Sequence, residues 1–191
     1  MKKDIILCGV GGQGILSIAT VIGEAATQAG LQLKQAEVHG MSQRGGDVQS
    51  NLRLSTEPIY SDLIARGSAD LIISMEPMEA LRYVGYLAPG AWTVSSSEPF
   101  VNIPNYPDTD SLLAELKERQ NVETLPIEAL AREYQVPKSA NMILLGMAAA
   151  HLEMLSPEAL RQAISAVFAR KGEAIVAANL KAFDLGLNAA K

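Results

Sequence analysis

The chain has 191 residues, 48% of them hydrophobic, with 21 acidic and 16 basic side chains and a net charge of -5. That length and apolar content suit one packed domain over residues 1–191 and exclude a disordered segment, while the lack of any block of like charge excludes a nucleic-acid binder. Met1-Lys2-Lys3 and the short apolar run after it imitate a signal peptide, but glycine and glutamine interrupt the run and no long apolar stretch follows; no membrane span is expected, and the cytoplasm is the expected compartment.

Lys3 to Gly9 reads as a first strand, and the run Gly9-Val10-Gly11-Gly12-Gln13-Gly14 turns it into a helix from Ile15 to Ala29 that Gly30 ends. Leu31 to His39 is a second strand. Asp47 to Ser55 is a third, with Val48, Leu52 and Leu54 on a buried face. Only seven residues, Gly40 to Gly46, separate these two, too few for a helical crossover, so the pair is expected to be antiparallel or a hairpin. Asp70 to Met75 is a buried strand, Glu76-Pro77 opens a helix through Tyr86, Pro89-Gly90 turns the chain, and Ala91 to Ser95 is another strand. Glu98 to Asp108 reads as a surface loop. Asp110 to Gln120 is a helix with Leu112, Leu113 and Leu116 inward, and Asn121 to Leu125 is the last strand.

After Tyr134 the pattern becomes helical. Asn141 to Met154 is apolar nearly all round and should be buried on several sides; Ser156-Pro157-Glu158 starts a helix carrying Leu160, Ile164, Val167 and Phe168, and a break near Lys171-Gly172 precedes a final helix to about Leu187. The order predicts an α/β fold, a three-layer Rossmann-like sandwich with a short connection between the second and third strands and a helical C-terminal part.

The glycine run after the first strand exposes backbone N–H groups at the positive end of a helix, where a phosphate can sit; a plain tight turn is the alternative. A dinucleotide dehydrogenase would place an acidic residue such as Glu37 on the ribose, but the broken second crossover argues against that reading. In the connecting stretch His39 to Asp47, Arg44 stands between Ser42-Gln43 and Gly45-Gly46, able to offer its donors to a phosphate or carboxylate or simply to lie in a solvated loop. In open α/β sheets ligands bind beyond the carboxyl ends of strands, so the segments 9–14, 39–46, 74–77 and 95–97 are expected to converge. Cys8 is the only cysteine and reads as a small core residue; His39 and His151 are the only histidines, the latter in an apolar run. No catalytic constellation and no metal-ligand spacing can be named from these residues.

The glycine run together with Glu37-Val38-His39-Gly40-Met41-Ser42-Gln43-Arg44-Gly45-Gly46 resembles the gamma-type domain of 2-oxoacid:ferredoxin oxidoreductases, and it looks most like the beta-subunit branch that acts on indolepyruvate. Lys138-Ser139-Ala140-Asn141 and the apolar Leu144-Leu145-Gly146 extend the likeness over nearly the whole chain. The resemblance implies a subunit in the CoA-dependent oxidative decarboxylation of aryl 2-oxoacids with ferredoxin reduction. Pyruvate- and 2-oxoglutarate-specific relatives share the domain, and Ser42-Gln43-Arg44 favours the aryl branch. It further implies that thiamine diphosphate and 4Fe–4S clusters belong to a partner alpha subunit, with ferredoxin met through the complex, and that this chain holds no cofactor alone. Gly9, Gly11, Gly12, Gln13 and Gly14, with Ser42, Gln43, Arg44, Gly45 and Gly46, would face the partner and either position coenzyme A at the interface or shield the active site. A non-enzymatic nucleotide-binding module is the rival reading.

Overall fold

The computed structural model describes residues 1–39, 45–118 and 121–189. Its centre is β1 (Lys2–Val10), whose residues from Lys3 onward are all buried, as expected of a strand covered on both faces. Ile5 and Leu7 point to one core and Ile6 and Cys8 to another, so the two-residue period of the strand divides the molecule into layers. Around it lie β2 (Gln32–His39), β3 (Asp47–Ser55), β4 (Ala69–Ser74), β5 (Leu87–Ser96) and β6 (Val122–Leu125), in the order β2-β3-β1-β4-β5-β6. β1, β4, β5 and β6 run parallel; β3 is antiparallel to both β1 and β2. The pairing of His39 with Val48 makes β2 and β3 the antiparallel pair that the short connection requires. Gly40 to Arg44, within that connection, lie outside the described residues.

On one face pack α1 (Ile15–Gln28), α4 (Ile127–Glu133), α5 (Ala140–Ala148), α6 (Pro157–Phe168) and α7 (Glu173–Ala189); α2 (Pro77–Tyr83) and α3 (Thr109–Glu118) cover the other. All nine residues of α5 are buried, which is why its sequence shows no polar stripe. It crosses α7 where Gly146 meets Gly186: a Cβ on Gly146 would collide with the Phe183 carbonyl oxygen, and one on Gly186 with that of Ile143. The two backbones can approach this closely only because both side chains are hydrogen. Ser156 caps α6, its hydroxyl accepting from Ala159 N–H at 3.1 Å, with Pro157 at the first helical position. His151 is buried and stacks on Trp92 with ring centroids 4.3 Å apart, its Nε2 lying 3.3 Å from Glu123 Oε1.

Several expectations need correction. Pro89-Gly90 does not leave the sheet: both residues lie within β5, in a register shift opposite Ala69 to Leu71, with Gly90 at φ +79°. This is a bulge rather than a turn between elements. The helix expected through Tyr86 is α-helical only to Tyr83 and closes as a 3₁₀ turn, Val84–Tyr86. The apolar run after Asn141 likewise tightens into a 3₁₀ turn at Ala149–His151. α4 lies in a stretch for which the sequence pattern named no element. Among the described residues, no helix is long and apolar enough to cross a membrane.

Candidate functional site

Beyond the carboxyl end of β1 the chain enters the glycine turn, and the turn is held from three sides. Val10 N–H donates to Gln13 Oε1 at 2.7 Å, while Gln13 Nε2 donates to the Met75 carbonyl at 3.2 Å. The Gln13 side chain therefore clamps the turn to the end of β4. Gly11 N–H donates to the Gly46 carbonyl at 2.8 Å, and Gly45 N–H returns a bond to the Gly11 carbonyl at 3.2 Å, which carries the β1–β3 pairing past Val10. Asn141 Nδ2, at the start of α5, donates to the Gly14 carbonyl at 3.0 Å. Gly14 takes φ +83°, and a Cβ there would sit 2.7 Å from Asn141 Nδ2, so both the conformation and the contact call for glycine.

Of the other segments expected at this edge, residues 45–46 and 74–77 are gathered here. Met75 N–H donates to the Cys8 carbonyl at 3.0 Å. Glu76, fully buried, caps α2 by accepting from Glu79 N–H at 2.9 Å, and its other oxygen takes the Phe100 N–H at 3.4 Å and the Tyr106 hydroxyl. The segment after β5 is thus tied to the end of β4. Asn102 Nδ2 then reaches the Gly45 carbonyl at 2.8 Å. Gly9, Gly11, Gly12, Gln13, Gly14, Gly45 and Gly46 are gathered at one edge; Ser42, Gln43 and Arg44 lie outside the described residues.

This edge is strongly acidic on the α2 side. Asp47 accepts from the Tyr83 hydroxyl at 2.8 Å, and Arg82 binds the buried Glu79 carboxylate with two bonds of 2.8 and 3.1 Å. Burial pushes the Glu79 carboxyl above the usual carboxylate range; the Arg82 bond pulls the other way and the nearby Asp47 adds to the rise. Burial and the facing carboxylates also raise the Tyr83 and Tyr106 phenols, so both stay protonated donors. Cys8 lies beneath this network, fully buried, its thiol donating to the Glu79 carbonyl at 3.6 Å and raised by burial.

On the other side of the glycine turn opens a cleft of about 640 Å³. Of the segments expected to converge it takes only the glycine turn, through Gly12, Gln13 and Gly14; its remaining walls come mainly from residues 135–141 and from the C-terminal helices. Lys138 and Lys171 are its cations and Glu128 its acid. Burial raises the Glu128 carboxyl, as does the neighbouring Glu98. In the sequence Lys138 to Asn141 stand out only through the family likeness, which assigns them no role. The available signal was a basic residue and a serine at the start of a fully apolar helix.

The family model described as pyruvate ferredoxin/flavodoxin oxidoreductase matches residues 4–189. The indolepyruvate oxidoreductase subunit IorB of Pyrococcus horikoshii is 36% identical, over 100% of this chain and 98% of that protein. IorB of Thermococcus kodakarensis is 35% identical over the same shares. Among solved structures, a 2-oxoglutarate:ferredoxin oxidoreductase from Magnetococcus marinus, with 2-oxoglutarate, coenzyme A and succinyl-CoA bound, superposes with a TM-score of 0.78 at 26% identity. That match covers 99% of this chain and 31% of the larger one, so this chain spans about a third of its length. The gamma subunit of a keto/oxoacid ferredoxin oxidoreductase from Geobacter sulfurreducens gives 0.69 at 27% identity, over 98% of both chains.

Proposed function

The chain belongs to the pyruvate ferredoxin/flavodoxin oxidoreductase family, and from that premise we propose that it is a subunit of an indolepyruvate-type, aryl 2-oxoacid:ferredoxin oxidoreductase of the cytoplasm. The observation that carries the reading is similarity to IorB subunits along the entire chain. In the assembled enzyme an aryl 2-oxoacid and coenzyme A yield an aryl-acetyl-CoA and carbon dioxide, and the two electrons released pass to ferredoxin.

The residues of this chain do not fit the redox groups that such chemistry uses. Cys8 is the only thiol in the sequence and is sealed inside the sheet, and among the described residues no three His, Cys, Asp or Glu side chains stand together as a metal site. We therefore assign thiamine diphosphate and the iron–sulfur clusters to a partner alpha subunit. This chain supplies the glycine turn and the Ser42 to Gly46 segment, which face that partner and help position coenzyme A. Backbone N–H groups at the uncapped start of α1 and the guanidinium of Arg44 are the donors suited to an anionic ligand.

The test is co-purification from the native source followed by reconstitution. Ferredoxin reduction with indolepyruvate, phenylpyruvate, pyruvate and 2-oxoglutarate is followed for each subunit alone and for the pair. The expected result is aryl-oxoacid turnover from the pair and none from this chain alone. Turnover by the isolated chain would overturn the division of labour, and preference for pyruvate or 2-oxoglutarate would move the chain to another branch.

A further inference from the structure

We propose that residues 100–103, between β5 and α3, form a preformed docking knob for the partner alpha subunit, shaped for an apolar pocket rimmed by basic side chains. In naming the alpha subunit as the occupant the inference rests on the functional reading above. The first observation is exposure. Phe100, Val101 and Ile103 are 42%, 68% and 38% exposed, three large apolar side chains in a segment without regular secondary structure. Single exposed apolar residues are ordinary on a protein surface, whereas a cluster of them marks a place where something else packs.

The second observation is that the polar groups of the segment are tied inward. Phe100 N–H and the Tyr106 hydroxyl, on either side of the knob, both donate to the buried Glu76 carboxylate. Asn102 Nδ2, between the two exposed aliphatic side chains, donates to the Gly45 carbonyl at 2.8 Å. Before the knob, Glu98 accepts from the first amides of α4; after it, Asp108 accepts from the Ser111 N–H and hydroxyl, both at 2.9 Å. These bonds fix the backbone while the apolar side chains stay in water. A surface ordered in advance loses less conformational entropy when a partner closes on it, and an aromatic side chain such as Phe100 is a common interface anchor.

Position and charge select the occupant. The Asn102 bond sets the knob beside Gly45, so it continues the face that carries the glycine segments. No lysine, arginine or histidine occurs in the sequence between Arg82 and Lys117, whereas Glu98, Asp108, Asp110 and Glu115 do. Glu98 is paired with Arg132 at 3.3 Å; Asp108 and Asp110, at the start of α3, are exposed. A second copy of this chain, docked by two-fold symmetry, would set the same acids against each other, and like charges oppose such a contact. A basic rim complements them, which points to a different chain.

The alpha subunit, obtained by co-purification and then separated, is immobilised, and the full chain is passed over it at low and at high salt to give association and dissociation rates. The variants are Val101→Ser, Val101→Ser/Ile103→Ser and Asp108→Asn/Asp110→Asn; asparagine keeps an acceptor for the Ser111 N–H. Thermal melts check folding, and Val101→Ser, at the most exposed position of the knob, should melt like the parent. The Kd should rise several-fold in Val101→Ser and roughly tenfold or more in the double serine variant. The asparagine variant should associate several-fold more slowly at low salt, with a flatter salt dependence.

An unchanged Kd in both serine variants, no binding of the parent to the alpha subunit, or faster association once the two acids are removed overturns the surface. A parent dimer that the serine variants abolish does so too, because the occupant is then a second copy. If the complex turns over aryl 2-oxoacids and every variant keeps the parent Kd, the surface fails and the functional reading stands. If it turns over no 2-oxoacid while its affinity still depends on Val101 and Ile103, the functional reading fails and the surface stands.

Discussion

Asn141 and Gly14, 127 residues apart in sequence, are joined by a hydrogen bond of 3.0 Å from the asparagine side-chain amide to the glycine carbonyl. This bond fastens the glycine turn to the first residues of α5. Gly14→Ala should cost about 2–3 kcal/mol, from the left-handed φ and from the Cβ pressed against Asn141 Nδ2. Urea unfolding measures the loss. In Gly14→Ala/Asn141→Ala the collision disappears while the backbone strain stays, so the double variant should be more stable than the sum of the single losses predicts. Strict additivity would show that the two residues do not press on each other.

Glu98 performs a capping task for a helix 30 residues away. Its carboxylate accepts from Glu128 N–H at 2.6 Å and from Ala129 N–H at 3.1 Å, where Pro126 supplies no side-chain cap. Glu98→Ala should fray the start of α4 and cost about 1–2 kcal/mol. Amide exchange at residues 128–131 should quicken at least tenfold while the sheet amides keep their protection. With the facing charge gone, the Glu128 carboxyl should titrate at lower pH. Unchanged exchange at these amides would contradict the capping role.

Asp4 gives the fold a pH signature. Burial pushes its carboxyl up, but hydrogen bonds from Arg53 at 2.8 and 3.1 Å and from Lys2 at 2.8 Å outweigh that effect and hold it below the usual range. The folded value lies under the unfolded one, so the stabilisation is present above the ordinary carboxylate range and is lost as pH falls through the folded value. Arg53→Ala should cost about 3 kcal/mol near neutral pH by stranding a buried carboxylate. With burial then dominant, Asp4 should titrate higher, and the penalty should shrink as the acid becomes neutral towards pH 3. Unfolding free energies of both proteins at pH 7 and pH 3 check this; a penalty that does not vary with pH would refute the assignment.

Arg44 and Gly11 test the glycine segments as a functional unit. In the reconstituted complex, Arg44→Ala should raise the apparent KM for coenzyme A, or weaken subunit association, by roughly ten- to a hundredfold while the fold stays intact. Gly11→Val should do the same with some loss of stability, since Gly11 bonds through both its N–H and its carbonyl to the Gly45-Gly46 backbone. If neither constant moves in either variant, these segments serve only as turns.

The strands that carry the fold could be read because their signals are local. Asp47 to Ser55 has the bounds its β-branched and leucine pattern suggests, and Ser156-Pro157 caps as written. The hairpin of β2 and β3 follows from chain length alone. What escaped depends on partners far away in sequence. α4 has no local start signal because its cap is Glu98. Pro89-Gly90 looks like a turn, and only the neighbouring strand β4 makes it a bulge. The position of the glycine turn at the end of β1 was legible; the approach of Ser139 and Lys171 to it was not, because only the packing of α5 and α7 brings them beside it.

Cys8 has a practical consequence at the bench. Its sulfur is sealed in the sheet and its thiolate is suppressed, so alkylating reagents meet no reactive sulfur on the native fold. The wild-type chain therefore serves directly as a blank background for site-directed labelling. A single Lys171→Cys substitution at the rim of the cleft would carry one fluorophore at a known place, with no native thiol to remove first. Ligand entry or approach of a second subunit could then be followed as a change in emission.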